Sequence, residues 1–284
     1  MKVLITGGKG MLGSKLATFL QSKGYEVSNP GSNELDITNT EQVRQYLLSN
    51  SPDFIINCAA YTNVEQAESE EEKPKVFEIN TKAPGKLAKL TDEANIGFMH
   101  ISTDYVFSAN DPRGYAEFDV PTQPAYNYYG ETKRLGEFEV MKNNPNSYIV
   151  RVQWTFGEGG KNLVDTMLKL AETRTELNVV EDEVGVPTYT YYVAQSIAYI
   201  LDNSQSIQPG FYHAVSEGQC SRYEQVQYIY EIAKLDVKLN PIRLADYPRK
   251  AKVPNFSILK NTRLPKLPDW REGIREYILS KQHL

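Results

Sequence analysis

The chain is poor in cysteine and histidine. Cys58 and Cys220 are the two cysteines among 284 residues. A single widely spaced pair excludes a disulfide framework and makes the cytoplasm the expected location. The three histidines, His100, His213 and His283, are scattered and show no ligand spacing with a cysteine, so no metal centre is expected. Apolar runs long enough to span a bilayer (~20 residues) are missing. The apolar stretch of MKVLITGG is too short for a signal peptide and leads straight into glycines. Basic excess is missing as well: the net charge is −5, which leaves no electrostatic footprint for nucleic acid. No internal repeat is visible. What is present is 40% hydrophobic and 24% charged, the balance of a globular protein with one large domain or two intimate ones.

The first half alternates short apolar strands with helical patterns. Strands are expected at 3–5, 25–27, 53–57, 98–101 and 148–152. Helices are expected after the first glycines, after Thr40, over 75–94 and over 128–141. Strands alternating with helices imply right-handed βαβ units and a parallel sheet. Uninterrupted apolar strands imply a sheet covered on both faces. Beyond Trp154 the rhythm loosens, with helices expected at 162–173 and 191–201 and a strand at 210–215. From Ser221 the reading is one helix among loops punctuated by Pro241, Pro248, Pro254, Pro265 and Pro268, forming a smaller cap over the sheet's carboxyl edge. The charge run at 68–75 reads as a solvated helix start.

TGGKGMLG sets Gly7, Gly10 and Gly13 at three-residue spacing between the first strand and the first helix. Glycine permits the tight turn and lets backbone N–H groups approach a pyrophosphate at the positive helix end. That position marks a Rossmann-like, doubly wound dinucleotide-binding sheet. An NAD-specific loop would carry a carboxylate after the second strand, but Val27-Ser28-Asn29-Pro30 has none. Lys9, inside the loop, can meet a 2′-phosphate, which favours NADP(H) over NAD(H).

Tyr129 and Lys133 stand four apart at the start of the helix before the fifth strand, on one helical face. A nearby ammonium lowers a phenol's pKa and makes it a better proton donor near neutral pH. The same spacing recurs at Tyr230–Lys234 and Tyr277–Lys281, where no dinucleotide loop or strand end is near, so those pairs read as packing residues. Ser102-Thr103, leaving the fourth strand, supplies a hydroxyl. Parallel sheets bind ligands at strand carboxyl ends, so the glycine loop, Ala59-Ala60, Thr103 and Tyr129 can converge on one crevice.

These pieces resemble the extended short-chain dehydrogenase/reductases, and more closely the dTDP-4-dehydrorhamnose reductase family. The matches are TGGKGMLG, LDIT from Leu35, INCAAYTNVEQAE from Ile56, ISTDYVF from Ile101, YYGETK from Tyr128, VRVQWTFG from Val150 and EVGVPTYT from Glu183. The resemblance implies NADPH-dependent reduction of the C4 ketone of a nucleotide-linked 4-keto-6-deoxy sugar, with Tyr129, Lys133 and Thr103 catalytic. With it go cofactor contacts expected from Gly7, Lys9, Gly10, Met11, Leu12 and Gly13, from Asp36 and Ile37, from Ala59, Ala60, Tyr61 and Thr62, from Ile101, and from Tyr129 and Lys133, the lysine on the nicotinamide ribose. It implies substrate contacts from Thr103, Asp104, Tyr129 and Trp154, with Asn162 toward the sugar nucleotide's diphosphate; Gln153, beside Trp154, is expected in the same pocket. The cofactor domain would span 1–153 with parts of 179–216, and a discontinuous substrate-binding cap 154–284.

Gln153 departs from the family's usual R-T-S-W. A longer amide in the sugar pocket could read another substituent, such as an N-acetyl group at C2, which keeps a UDP-linked 4-keto-6-deoxy-N-acetylhexosamine open as substrate. A related epimerase or dehydratase, and a non-catalytic NADP-binding subunit, also stay open. Lys15 stands where some members carry a glutamate for a magnesium-bridged dimer. No metal is therefore carried over, and monomer and homodimer both remain.

Overall fold

The computed structural model describes residues 1–108 and 110–282; His283 lies outside the described residues. Strands β1 (Lys2–Thr6), β2 (Glu26–Ser28), β3 (Phe54–Asn57), β4 (Gly97–Thr103), β5 (Tyr148–Val152) and β6 (Gly210–His213) form one parallel sheet. Its order is β6-β5-β4-β3-β1-β2. The order reverses beside β1, the topological switch point where such sheets bind ligands.

The helices are α1 (Met11–Ser22), α2 (Thr40–Asn50), α3 (Lys73–Phe77), α4 (Ala83–Glu93), α5 (Tyr128–Asn143), α6 (Leu163–Ala171), α7 (Thr190–Asp202), α8 (Arg222–Ala233) and α9 (Trp270–Gln282). Side chains along a strand alternate between faces, and both faces of this sheet are covered. Val3 and Ile5 pack with Leu16 and Leu20 of α1 and with Val193 and Ile197 of α7. Leu4 and Ile55 pack with Val43 of α2, Leu87 of α4 and Val140 of α5. Double coverage is the reason the strands read as unbroken apolar runs.

The helix expected over 75–94 is interrupted by a widened π-helical turn, Glu78–Lys82. Pro84 has no N–H to offer the Asn80 carbonyl. That carbonyl instead lies so near Gly136 of α5 that a Cβ there would sit 2.2 Å from it. The Asn80 side chain accepts the Tyr61 N–H at 2.8 Å and donates to the Tyr61 carbonyl at 3.1 Å. The irregular turn thereby fixes the loop that leaves β3.

Phe156, Tyr189, Tyr192, Tyr230, Trp270 and Tyr277 build a separate apolar cluster. This C-terminal region holds more structure than one helix and loops. The strand Lys238–Ile242 pairs in parallel with Glu176–Val180, and α9 closes the cluster. Trp270, Ile274, Tyr277 and Ile278 carry the helical spacing that buries α9; the prolines before it obscured the pattern.

Candidate active site

The first turn is built on close approaches. Gly7 has φ +64°, and a Cβ there would lie 2.7 Å from the Ala59 backbone. A Cβ on Gly13 would lie 2.4 Å from the Gly7 carbonyl oxygen. Gly10 precedes α1 with no side-chain cap. The first N–H groups of the helix, with their partial positive charge, are left for a ligand.

A cleft of about 840 Å³ opens at the carboxyl ends of β1, β3, β4 and β5. The glycine loop contributes Gly7, Lys9, Gly10, Met11, Leu12 and Gly13 to its wall. Asp36 and Ile37 line it after β2, and Ala59, Ala60, Tyr61 and Thr62 after β3. Ile101, Ser102, Thr103 and Asp104 enter from β4, Tyr129 and Lys133 from α5, and Trp154 from beyond β5. The sequence-predicted residues therefore meet in one cleft, Gln153 and Asn162 excepted.

Helix α5 is held tightly where it presents Tyr129. Asn127 accepts the Gly130 N–H at 2.8 Å, capping the first turn. Glu68 accepts the Tyr128 N–H at 2.7 Å, so this member of the charge run anchors the helix start and is not merely solvated. A Cβ on Gly130 would lie 2.3 Å from the Tyr105 carbonyl oxygen. The Tyr129 ring meets Tyr105 edge-on at 6.2 Å.

The expected tuning of Tyr129 by Lys133 is absent from this geometry. Burial pushes the Tyr129 phenol up to about 12; a Thr103 hydrogen bond opposes the shift and the Asp104 charge adds to it. The Lys133 amine is turned inward, 2.7 Å from the Ile101 carbonyl and 3.1 Å from His100 Nε2. Burial lowers Lys133 to about 8, with Glu137 and Cys58 opposing. The phenol is thus fully protonated at neutral pH, the state a proton donor needs.

Thr103 donates to Asp104 Oδ1 at 3.1 Å and accepts the Tyr105 N–H at 3.3 Å. Burial raises Asp104 to about 6, against hydrogen bonds from Ser257, Thr103 and Gln153. The structure corrects the reading of Gln153 as a residue that reads the sugar. Gln153 is 1% exposed. Its two Nε2 hydrogens are shared among Asp104 Oδ2 (3.0 Å) and the Ser257 carbonyl (2.7 Å) and hydroxyl (2.8 Å). Its Oε1 accepts the Leu259 N–H at 3.1 Å. A buried amide engaged by Asp104, Ser257 and Leu259 is turned away from a substrate substituent. It ties the C-terminal segment to Asp104.

Trp154 takes φ +43°, a backbone region costly for a bulky side chain. Its indole N–H is buried without a partner, and the Arg222 guanidinium stacks 3.3 Å over its ring. Trp154, Thr155 and Lys161 also line a second cleft, of about 680 Å³. Leu163, Met167, Leu170 and Val179 supply its apolar wall, and Arg222 and Arg249 its cations. Glu183 receives both arginines, at 3.2 Å and 3.4 Å. Sequence reasoning missed these arginines, because they sit in the loosely patterned tail.

Asn162 lines the second cleft, not the first. It caps α6 by accepting the Asp165 N–H at 3.0 Å, and its amide donates to the Gly157 carbonyl at 2.9 Å. Its side chain is thus engaged as a cap in the wall of the second cleft, beside Lys161. Among the rival pairs, Tyr230 is buried and donates to the Met167 carbonyl at 3.0 Å. Tyr277 is buried and donates to Asp165 at 2.8 Å.

A family model described as RmlD substrate binding domain matches residues 1–282. The chain is similar to a dTDP-4-dehydrorhamnose reductase of Mycolicibacterium smegmatis, with 37% identity over 98% of this chain and 85% of that protein. Its structure is similar to that of a dTDP-4-dehydrorhamnose reductase from Clostridium acetobutylicum, with TM-score 0.93, 36% identity, and coverage of 99% of this chain and 100% of that one. It is similar also to a dTDP-4-dehydrorhamnose reductase from Bacillus anthracis in complex with NADP, with TM-score 0.92, 33% identity, and coverage of 98% and 99%.

Proposed function

The chain belongs to the RmlD family, that of the dTDP-4-dehydrorhamnose reductases, and from that premise we propose that it reduces the C4 ketone of dTDP-4-dehydrorhamnose with NADPH. The observation that carries this reading is the meeting of two clefts at Trp154, Thr155 and Lys161, beside Thr103 and Tyr129.

The first cleft fits a dinucleotide. The uncapped start of α1 and the bare backbone at Gly10 would hold the pyrophosphate. Lys9 stands in the wall to meet a 2′-phosphate, beside Asp36 and Ile37 on the adenine side. Ala60, Tyr61, Thr62 and Ile101 would line the remainder, with Lys133 toward the nicotinamide ribose. When bound there, NADPH supplies hydride to the carbonyl carbon. Tyr129 gives its phenolic proton to the carbonyl oxygen as charge develops. Thr103 positions that oxygen, and the Asp104 carboxylate braces Thr103.

The second cleft suits a nucleoside diphosphate. Lys161, Arg222 and Arg249 offer the cations and the apolar wall a slot for the base. The Trp154 side chain, which lines both clefts, offers a wall for the sugar where they meet. We take residues 1–153, with parts of 179–216, as the cofactor body and the cluster around Trp270 as the substrate cap. With Gln153 turned into the core, the residue that favoured an N-acetylhexosamine no longer does so.

The test follows NADPH absorbance with dTDP-4-dehydrorhamnose and with UDP-4-keto-6-deoxy-N-acetylglucosamine. Stoichiometric oxidation with the first is expected. Turnover without net NADPH loss would identify an epimerase or dehydratase instead. Tyr129→Phe should lower kcat by at least ~10²-fold, the scale of general acid catalysis; near-normal turnover would refute the proton-donor assignment.

A further inference from the structure

Beneath the first cleft runs a chain of buried polar side chains whose hydrogen-bond directions can be read in order. Asn57, at the end of β3, is fully buried. Its Oδ1 accepts the Ala59 N–H at 3.2 Å and the Thr6 hydroxyl at 2.6 Å. A backbone N–H only donates, so the amide cannot be flipped. Nδ2 is then the atom 2.9 Å from His100 Nδ1. An amide nitrogen also only donates, so His100 Nδ1 must accept and carries no proton.

His100 is fully buried, and burial holds its pKa well below the ordinary value. The neutral ring keeps its one proton on Nε2, which lies 3.1 Å from Lys133 Nζ. Nζ also lies 2.7 Å from the Ile101 carbonyl, which only accepts. An N–H aimed at Nζ needs a lone pair there, and an ammonium has none.

We infer that His100 is a positioning residue that holds Lys133 as a neutral amine in the free protein, with His100 Nε2–H donating to Nζ and Nζ donating to the Ile101 carbonyl. The opposite arrangement, an ammonium donating to Nε2, would place the ring proton on Nδ1. That proton would face the Asn57 amide N–H, two donors 2.9 Å apart. The tautomer imposed by Asn57 therefore acts in the same direction as burial, which outweighs Glu137 and Cys58 and lowers the Lys133 amine.

The charged and titratable groups facing Lys133 are few. Cys58 faces it from the β3 exit and His100 from β4, while Tyr129 and Glu137 share its helix. Glu137 is committed to a two-pronged pair with Arg151, at 2.9 Å and 2.8 Å. The consequence, which rests on Lys133 belonging to the NADPH site, is that Lys133 takes up one proton from solvent when NADPH binds. The amine becomes an ammonium, and its contact with His100 Nε2–H is given up.

The tautomer is tested directly by ¹⁵N NMR of the ring nitrogens in the free protein, with His100 assigned by the signals lost in His100→Gln. Expected is an unprotonated Nδ1 and a protonated Nε2; the reverse tautomer, or a doubly protonated ring, overturns the inference. Proton uptake is tested by calorimetry of NADPH binding in buffers of different ionisation enthalpy, at about pH 8, where the 2′-phosphate (second pKa near ~6) no longer titrates. Wild-type uptake should approach one proton. Asn57→Asp, whose carboxylate accepts Nδ1–H and frees Nε2 to accept from an ammonium, should lower it at least ~3-fold. No uptake in the wild type, or equal uptake in a folded Asn57→Asp variant, overturns the inference. If that variant does not fold, the wild-type tautomer decides. Failure to bind NADPH would count against the proposed function and leave the tautomer result standing.

Discussion

A Gln153→Ala variant strips donors or acceptors from three neighbours at once: Asp104, Ser257 and Leu259. Each buried polar group left unmatched costs ~1–3 kcal/mol. Three such groups in a dry cavity would reach the upper end of what single substitutions cost. The vacated space has polar walls and holds more than one water, so solvent recovers part of the loss. The net expectation is ~2–4 kcal/mol of stability, read in urea unfolding. At the size of this chain that is a fall in Tm of about 5–10 °C. Asp104 loses a donor and a fixed position, so kcat/KM should fall about tenfold, ~1.4 kcal/mol. Because Gln153 does not reach the cleft, the fall should be equal for the dTDP-linked and UDP-linked 4-keto sugars. A variant within about 0.5 kcal/mol of the parent in stability, but with a changed ratio between the two sugars, would show that the side chain reads the substrate after all.

Three further outcomes can be measured separately. Tyr230→Phe removes a buried hydroxyl bonded to the Met167 carbonyl; turnover should stay near normal while unfolding free energy drops by ~1 kcal/mol. Gly130→Ala sets a Cβ 2.3 Å from the Tyr105 carbonyl oxygen and must shift α5; a displacement of ~1 Å at Tyr129 should cost up to ~10²-fold in kcat, and unchanged steady-state kinetics would contradict the packing argument. Burial and the Arg151 charge depress His213 to about 3 from its ordinary 6.5. Its stability contribution is therefore full above pH 6.5 and lost as pH falls toward 3, at up to ~1.4 kcal/mol per pH unit while only the unfolded state binds the proton. His213→Gln should flatten that part of the stability–pH curve, and an unchanged slope would place the titration elsewhere.

Much of the fold was legible because its determinants are local. Residues 148–152 were expected as a strand and form β5, and the glycine loop turns where its spacing requires. The choice of Tyr129–Lys133 over two equal spacings rested on strand order. The rival tyrosines are indeed packed into the C-terminal cluster. What failed was of another kind. The helix over 75–94 broke at a π-helical turn, because Pro84 acts on a carbonyl four residues away and Gly136 fills the space. Helix α9 was overlooked behind prolines.

The sequence by itself determined the parallel sheet, the dinucleotide loop and the identities of the residues at the strand ends, since each follows from periodicity, glycine spacing or motif order. Only the tertiary structure decided where the side chains point. Gln153 and Trp154 are adjacent in sequence. One is buried against Asp104 and Ser257, and the other turns through a left-handed backbone to stand between two clefts. Lys133 shares a helical face with Tyr129, but its amine is turned inward against His100 and the Ile101 carbonyl. Direction, burial and hydrogen-bond partners arise from segments far apart in the chain, and no local pattern carries them.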